Sequence, residues 1–292
     1  YTRRKYSTTR KNYKRKYMKT YPIVLSVAGS DSSGGAGIQA DLKTFSALGT
    51  FGTTAITTIT AQNTLGVKAI QSVNSDVFQL QLEAVMSDFS VAAVKVGMLH
   101  STEIVEILVS ALKKYKPPYI VVDPVMVATS GDSLIMESTI ESMKTLLFPI
   151  ATVITPNLKE ASLLLHSNIE SLDDMKKASR ELLKFGSQSA LVKGGHLKAE
   201  KSTDVLSFQQ QTEVQCFEAD WIESNNLHGT GCTLSSAIAA YLALGLSISE
   251  AVGLAKKYVH NAILHGKDVH IGQGHGPLNH AFDPQKLKVI IS

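Results

Sequence analysis

A chain of 292 residues, 44% hydrophobic and 18% charged, can bury a large core, and it holds no apolar run of about 18 residues that would suit a membrane-spanning helix. Its net charge of +4 overstates its basicity, because residues 1–17 hold eight Lys or Arg and no acid, and beyond them 21 basic residues face 25 acidic ones. A mildly acidic body excludes nucleic-acid binding by overall charge, and the two cysteines, Cys216 and Cys232, make neither a metal spacing nor a disulfide framework, which fits a reducing cytoplasm.

The basic arm at 1–17 has no aliphatic residues for a core and lacks the apolar face of a transit helix. It is expected to be a disordered appendage, dispensable for activity, with Met18 opening the folded unit that runs to residue 292. From Tyr21 apolar β-type runs alternate with helical patterns, the signature of a mainly parallel sheet covered on both faces by helices. The first strand is predicted at 22–29, followed by a glycine-rich turn and a helix through Leu48, with Gly49 just past its end. A β-branched run predicts a strand over 52–61. Ser75 is expected to cap a helix over 76–89 whose apolar face is Val77, Leu80, Leu82, Val85, Met86 and Phe89.

A strand at 92–98 and a helix from Ser101 to about Lys114 come next, and Pro117–Pro118 sends the chain extended into a strand at 119–125. Residues 127–134 are polar enough for a flap. After further helix, a strand at 151–155 leads into a helix near Asn157. Ser171 to Asp174 resembles a capping box, as does Ser247 to Glu250, and glycines 186 and 266 close the helices that these open. A strand is expected at 189–195 and a hairpin from residues 204–208 and 213–219. No linker divides 18–292, so one α/β domain is the simplest reading.

Functional groups of open α/β sheets collect at the carboxyl ends of the strands. Six turns there carry polar residues: SDSSGGAGIQAD (30–41), TAQNT (60–64), VVDPVM (121–126), TPNLKEA (155–161), VKGGH (192–196) and NLHGTGC (226–232). In the last, Gly229 and Gly231 free the backbone so that the N–H groups of Gly229, Thr230, Gly231 and Cys232 can converge at a helix N-terminus, a setting that favours a phosphoryl group.

Taken in order, AGSDSSGGAGIQADLKTFSALG, TAQNTLGV, KVGML, DPVM, ITPNLKEA, VKGGH and HGTGCTLSSA resemble hydroxymethylpyrimidine/phosphomethylpyrimidine kinases, the thiamine-pathway members of the ribokinase-like superfamily. The resemblance covers the chain from Tyr21 onward. It implies a ribokinase-like α/β fold, usually a homodimer, and two successive ATP-dependent phosphorylations of 4-amino-5-hydroxymethyl-2-methylpyrimidine, to the monophosphate and then the diphosphate. Pyridoxal kinases of the same superfamily are the near alternative. A non-catalytic pyrimidine-responsive module is the distant one, disfavoured by the intact Lys193, Glu160 and glycine turn.

The resemblance places Gly29, Asp41, Gln62, Met98, Val125 and Cys232 around the pyrimidine. A Gln62 amide offers the donor and acceptor that match an aminopyrimidine edge, Asp41 would accept a hydrogen bond from the hydroxymethyl arm, and Met98 and Val125 would sandwich the ring. Lys193 would neutralise phosphate charge, with Asn157, Glu160 and Asp123 in the ATP region and Asp123 and Glu160 holding Mg2+ through waters. Cys232 stands where many ribokinase-like enzymes carry an aspartate base. A thiol at a helix N-terminus tends to a lowered pKa and could take a proton; equally, only its N–H could serve.

Overall fold

The structure is a computed structural model that describes residues 19–126, 136–195 and 200–291. The expected arm, Met18, the 127–134 flap and His196 lie outside the described residues.

The described strands are β1 (Lys19–Thr20), β2 (Ile23–Asp31), β3 (Phe51–Asn63), β4 (Gly66–Ser72), β5 (Val91–Val96), β6 (Tyr119–Val122), β7 (Val153–Ile154), β8 (Ser189–Val192), β9 (Lys201–Phe208), β10 (Gln215–Asp220) and β11 (Ile290–Ile291). The helices are α1 (Gly37–Ala47), α2 (Ser75–Asp88), α3 (Thr102–Tyr115), α4 (Glu137–Ser142), α5 (Leu158–Leu165), α6 (Leu172–Leu182), α7 (Thr230–Ala243) and α8 (Ile248–Leu264). Nine strands form one sheet in the order β10-β9-β8-β7-β6-β5-β2-β3-β4, while β1 and β11 pair separately. The six strands from β8 to β3 run parallel, and the antiparallel β4 flanks one side and β9 and β10 the other.

The chain leaves β2 for β3 on one side and later returns to place β5 on the other, so the strand order reverses at the carboxyl ends of β2 and β5. Such a reversal opens a crevice between diverging turns, the usual ligand position in an open α/β sheet. Two apolar layers cover the sheet. One packs α2, α3, α5 and α6 on one face, and the other packs α1, α7 and α8 on the opposite face. Small residues let α7 sit close to the strands: Ala237, Ala239 and Ala240 are fully buried among Val24, Ala93 and Val121.

Several expectations needed correction. The cap of α2 is Asn74, whose side chain accepts from Asp76 N–H, and Ser75 is already the first helical residue. Its buried face is Phe78, Leu82 and Met86, whereas Val77 and Leu80 stand 49% and 61% exposed. The apolar stripe therefore wraps further round the helix than the core needs. Strand β4 was not anticipated, because all seven of its residues are exposed and its sequence lacks a buried face. The strands predicted at 92–98, 119–125, 151–155 and 189–195 end early because their last residues leave the ladder to build the carboxyl-edge turns.

A loop late in the chain clasps the β3–β4 turn. Gln273 and Gly274 donate their N–H groups to Thr64 Oγ1, both at 3.1 Å, and His275 N–H donates to Thr64 O. Buried Asn226 ties the same loop down through Gly266 O and Val269 O, at 2.7 and 2.6 Å.

Candidate active site

Two glycine turns interlock at the crevice. Gly229, with φ at +84°, adopts a left-handed conformation at the N-cap of α7, and a Cβ there would stand 1.8 Å from Gly35 O. Only glycine lets the turns touch. Thr233 N–H makes the first bond of the helix, to Gly229 O, which leaves the N–H groups of Gly231 and Cys232 in the unpaired first turn with no side-chain cap. Thr230 N–H is instead directed to Leu227 O, so the converging set is smaller than the sequence suggested.

The first turn is organised by Asp31, to which the sequence analysis gave no role. Its Oδ1 accepts from Ser33 N–H and Ser33 Oγ–H, and its Oδ2 accepts from the N–H groups of Gly35 and Ala36. His228 Nε2 lies 2.9 Å from the same Oδ2, so a carboxylate of one turn holds a side chain of the other. Burial alone would raise the Asp31 pKa, but the bonds from His228, Ser33 and Ala36 outweigh it and hold the carboxyl well below the usual range.

Asp123, Glu160 and Lys193 come together as expected. Lys193 Nζ lies 2.6 Å from Asp123 Oδ1 and 4.0 Å from Glu160 Oε2. Thr155 Oγ1 and Ser235 Oγ add hydrogen bonds to the two oxygens of Asp123, each at 3.2 Å. Asn157 and Glu160 form a reciprocal capping box on α5, so the Asn157 oxygen is committed to the helix end. Burial pushes Glu160 upward, to about 7, against the pull of Lys193. A Cβ on Gly231 would meet Lys193 Nζ at 3.3 Å and Asp123 Oδ2 at 3.7 Å, so the bare glycine keeps a cradle open between the ammonium and the α7 turn.

Those residues fit polyphosphate and Mg2+ in a particular way. Asp123 already accepts from three donors, and the described residues contain no cluster of three or more His, Cys, Asp or Glu suited to a metal. Magnesium keeps several waters and binds through one or two carboxylates and substrate phosphates; Asp123 and Glu160 are the two carboxylates beside Lys193 that would hold such an ion through waters.

Of the residues expected around the pyrimidine, Gly29 and Met98 are neighbours: a Cβ at Gly29 would lie 3.8 Å from Met98 Cε and 2.6 Å from Thr58 Oγ1. Gln62 is half-buried at the end of β3, within 3.2 Å of Thr60 Oγ1 and of His228 Nε2. Val125 is half-buried in the turn after β6, where its N–H bonds Asp123 O.

Asp41 is fully buried, paired with Lys95 at 2.8 Å, and it accepts from Ser26 Oγ at 2.5 Å and Ser236 Oγ at 2.6 Å. Through these bonds it ties α1 to α7 and to β2 and β5. Cys232 departs from the lowered pKa considered for it. Burial pushes the thiol up, Asp41 and Asp123 push the same way, and Lys95 and the N–H of Gly37 only partly oppose them. The neutral thiol is the stable form here, which favours the role of its N–H.

Comparison with known proteins gives the family. The family model for phosphomethylpyrimidine kinase matches residues 31–279. The chain belongs to the phosphomethylpyrimidine kinase family. A hydroxymethylpyrimidine/phosphomethylpyrimidine kinase of Rhizobium meliloti is 49% identical over 88% of this chain and 96% of its own length. The crystal structure of a phosphomethylpyrimidine kinase from Clostridium difficile is 47% identical, with a TM-score of 0.73 over 82% of this chain and 99% of that one. A pyridoxal kinase from Staphylococcus aureus, solved with AMP-PCP and pyridoxal, is 36% identical with a TM-score of 0.81 over 94% of this chain and 99% of that one. The chain spans about half of some longer relatives, such as a probable thiamine biosynthetic bifunctional enzyme of rice, 46% identical over 92% of this chain and 48% of the relative. The fold is the ribokinase-like one of these kinases, and no helix among the described residues is long and apolar enough to cross a membrane.

Proposed function

We propose that this protein transfers a phosphoryl group from ATP to the hydroxymethyl oxygen of 4-amino-5-hydroxymethyl-2-methylpyrimidine, and then a second to the resulting monophosphate, supplying the diphosphate for thiamine diphosphate synthesis in the cytoplasm. The observation that carries this reading is the interlock of Gly35 and Gly229 at the sheet crevice, with Lys193, Asp123 and Glu160 on one side and Gln62, Gly29 and Met98 on the other.

In this reading the Lys193 ammonium and the first-turn N–H groups of α7 offset the charge on the transferring group, the main contribution a protein makes to phosphoryl transfer. Asp123 orients Lys193, and Glu160 adds a second carboxyl beside it. Asp123 and Glu160 would hold Mg2+ through waters, and the ion would supply positive charge that offsets the phosphates. Cys232 contributes its backbone. The Gln62 amide selects the aminopyrimidine edge, and pyridoxal, which has no ring amino group, is the poorer substrate.

Parallel ATP-consumption assays with the pyrimidine alcohol, its monophosphate, pyridoxal and no acceptor test the proposal. Turnover on both pyrimidines well above pyridoxal is the expected result, and preference for pyridoxal would overturn it. The kinase unit is residues 18–292, so removal of 1–17 should leave that turnover intact. The partner is a second copy of the chain, docking on the β3–β4 hairpin, where Ile59, Leu65, Val67 and Ile70 are 53%, 70%, 42% and 50% exposed on an unpaired sheet edge. Sedimentation of the protein and of Ile70→Lys checks this, and a monomeric parent would refute it.

A further inference from the structure

The contacts around Gln62 determine which end of its amide is the oxygen, and that orientation sets which way round a substrate ring lies. Two separate hydrogen-bond accounts agree on the answer. Thr60 Oγ1 lies 2.9 Å from Ser30 O, a carbonyl that only accepts, so the single hydroxyl proton is spent there. The Gln62 atom 3.2 Å from Thr60 Oγ1 must then be a donor, the amide nitrogen. At the other end, His228 Nε2 lies 2.9 Å from Asp31 Oδ2, an ionised carboxylate that only accepts. His228 Nε2 therefore carries its proton and has no lone pair left to accept with, so the Gln62 atom 3.2 Å away can only be an acceptor, the amide oxygen, taking a share of the proton given to Asp31. A half-turn of the amide meets both demands at no change in shape.

The His228 ring is itself held in place. It packs on Gly35, where a Cβ would stand 2.3 Å from His228 Cδ2, and the His228 N–H donates to Gly276 O at 3.1 Å. No other hydrogen bond engages the Gln62 side chain among the described residues. One N–H and one oxygen lone pair thus remain for a ligand.

We propose that Asp31 and His228 are positioning residues that lock the Gln62 amide with its oxygen toward His228, and so fix the orientation of the aminopyrimidine ring. This rests on the proposed reading of the function. An aminopyrimidine meets the locked amide by giving its amino group to the oxygen and taking the N–H at its ring nitrogen. Its amino group then lies on the His228 side. The carbon that bears the hydroxymethyl arm is the ring neighbour of the amino-bearing carbon, away from the paired ring nitrogen. The arm is therefore carried to the His228 side, next in the chain to the turn at Gly229–Cys232 where the proposed function puts phosphoryl transfer. The opposite amide orientation would turn the ring over and carry the arm to the side away from His228.

The test pairs His228→Phe, which keeps a flat ring on Gly35 but loses the Nε2 donor, with His228→Gln, which keeps an N–H. His228→Phe should raise KM for the pyrimidine alcohol by about 10- to 100-fold, leave KM for ATP unchanged, and narrow the preference over pyridoxal, while His228→Gln recovers most of the loss. If the parent protein prefers the pyrimidine and His228→Phe retains that preference and KM, the positioning role is refuted and the kinase reading stands. If the parent protein does not use the pyrimidine, both fall. Neutron diffraction of the unaltered protein gives an answer independent of any variant. Deuterium on the amide atom facing Thr60 supports the lock, and deuterium on the atom facing His228 overturns it.

Discussion

Two Asp–Lys pairs lie beneath the start of α7, and they have opposite relations to the crevice. Asp41 and Lys95 are entirely sealed, with Ser26 and Ser236 completing the carboxylate's bonds. Asp123 and Lys193 are equally close, yet Lys193 keeps 11% of its side chain exposed and faces the open cradle at Gly231. Chemically identical pairs thus divide the work: the first ties four elements into one block, and the second, in the proposed function, holds a charge where a phosphate arrives. Access to the cradle, more than the pair itself, separates function from architecture.

The widest separation should come from Lys193→Met, which removes the charge at the cradle. Its turnover should fall by about 100- to 1,000-fold, the usual cost of losing one preorganised stabiliser of transition-state charge, with a smaller loss of stability than Lys95→Met, because removing the 11%-exposed Lys193 opens the stranded Asp123 to water. Lys95→Met should do the reverse. Removing one partner of a sealed pair strands the other and costs about 3–5 kcal/mol of stability, measured by urea titration, while the fraction that remains folded keeps near-normal turnover. A Lys95→Met/Asp41→Leu double replacement should recover part of the loss, since no charge is left behind. Comparable kinetic losses in Lys193→Met and Lys95→Met would erase the distinction.

Cys232 sharpens it further. With its thiol held neutral by burial, Cys232→Ser should lose less than about tenfold in turnover, below the range that general-base catalysis contributes; a loss of two or more orders would restore the thiol as base. The smallest effect concerns Glu160, whose folded pKa of about 7 lies above the ordinary 4.5. Between those values the unfolded chain has released this proton and the folded one retains it. The contribution of Glu160 to stability is therefore greatest below pH 4.5 and is lost as pH rises through 7. Urea midpoints of the parent protein should lose more between pH 5 and 7.5 than those of Glu160→Gln, and parallel curves would contradict the raised pKa.

What could be read from the sequence was whatever is local in the chain. Ser171 with Asp174 and Ser247 with Glu250 are three residues apart and form the capping boxes that their spacing announced. The strand-end turns carrying Gln62, Asp123, Lys193 and Cys232 do lie along one edge of the sheet. The pairing of Asp41 was not legible because its partner Lys95 is 54 residues away, and an acid beside a glycine motif looks the same whether or not it meets a buried ammonium. Nothing local in their motifs announces the pairing of Asp31 with His228, since 197 residues separate them. Strand β4 went unseen because an exposed edge strand carries no burial pattern for the eye to follow.

The clasp on Thr64 also bears on how the molecule is made. Its bonds to Gln273 and Gly274 span 209 and 210 residues, and the lock between Asp31 and His228 spans nearly as many. Contacts of such separation form late, because the closure entropy of a long loop precedes any gain from them. During synthesis the clasp on Thr64 cannot close until Gly274 has been translated. The first turn, with its ionised Asp31, must meanwhile wait in water for the histidine that completes it.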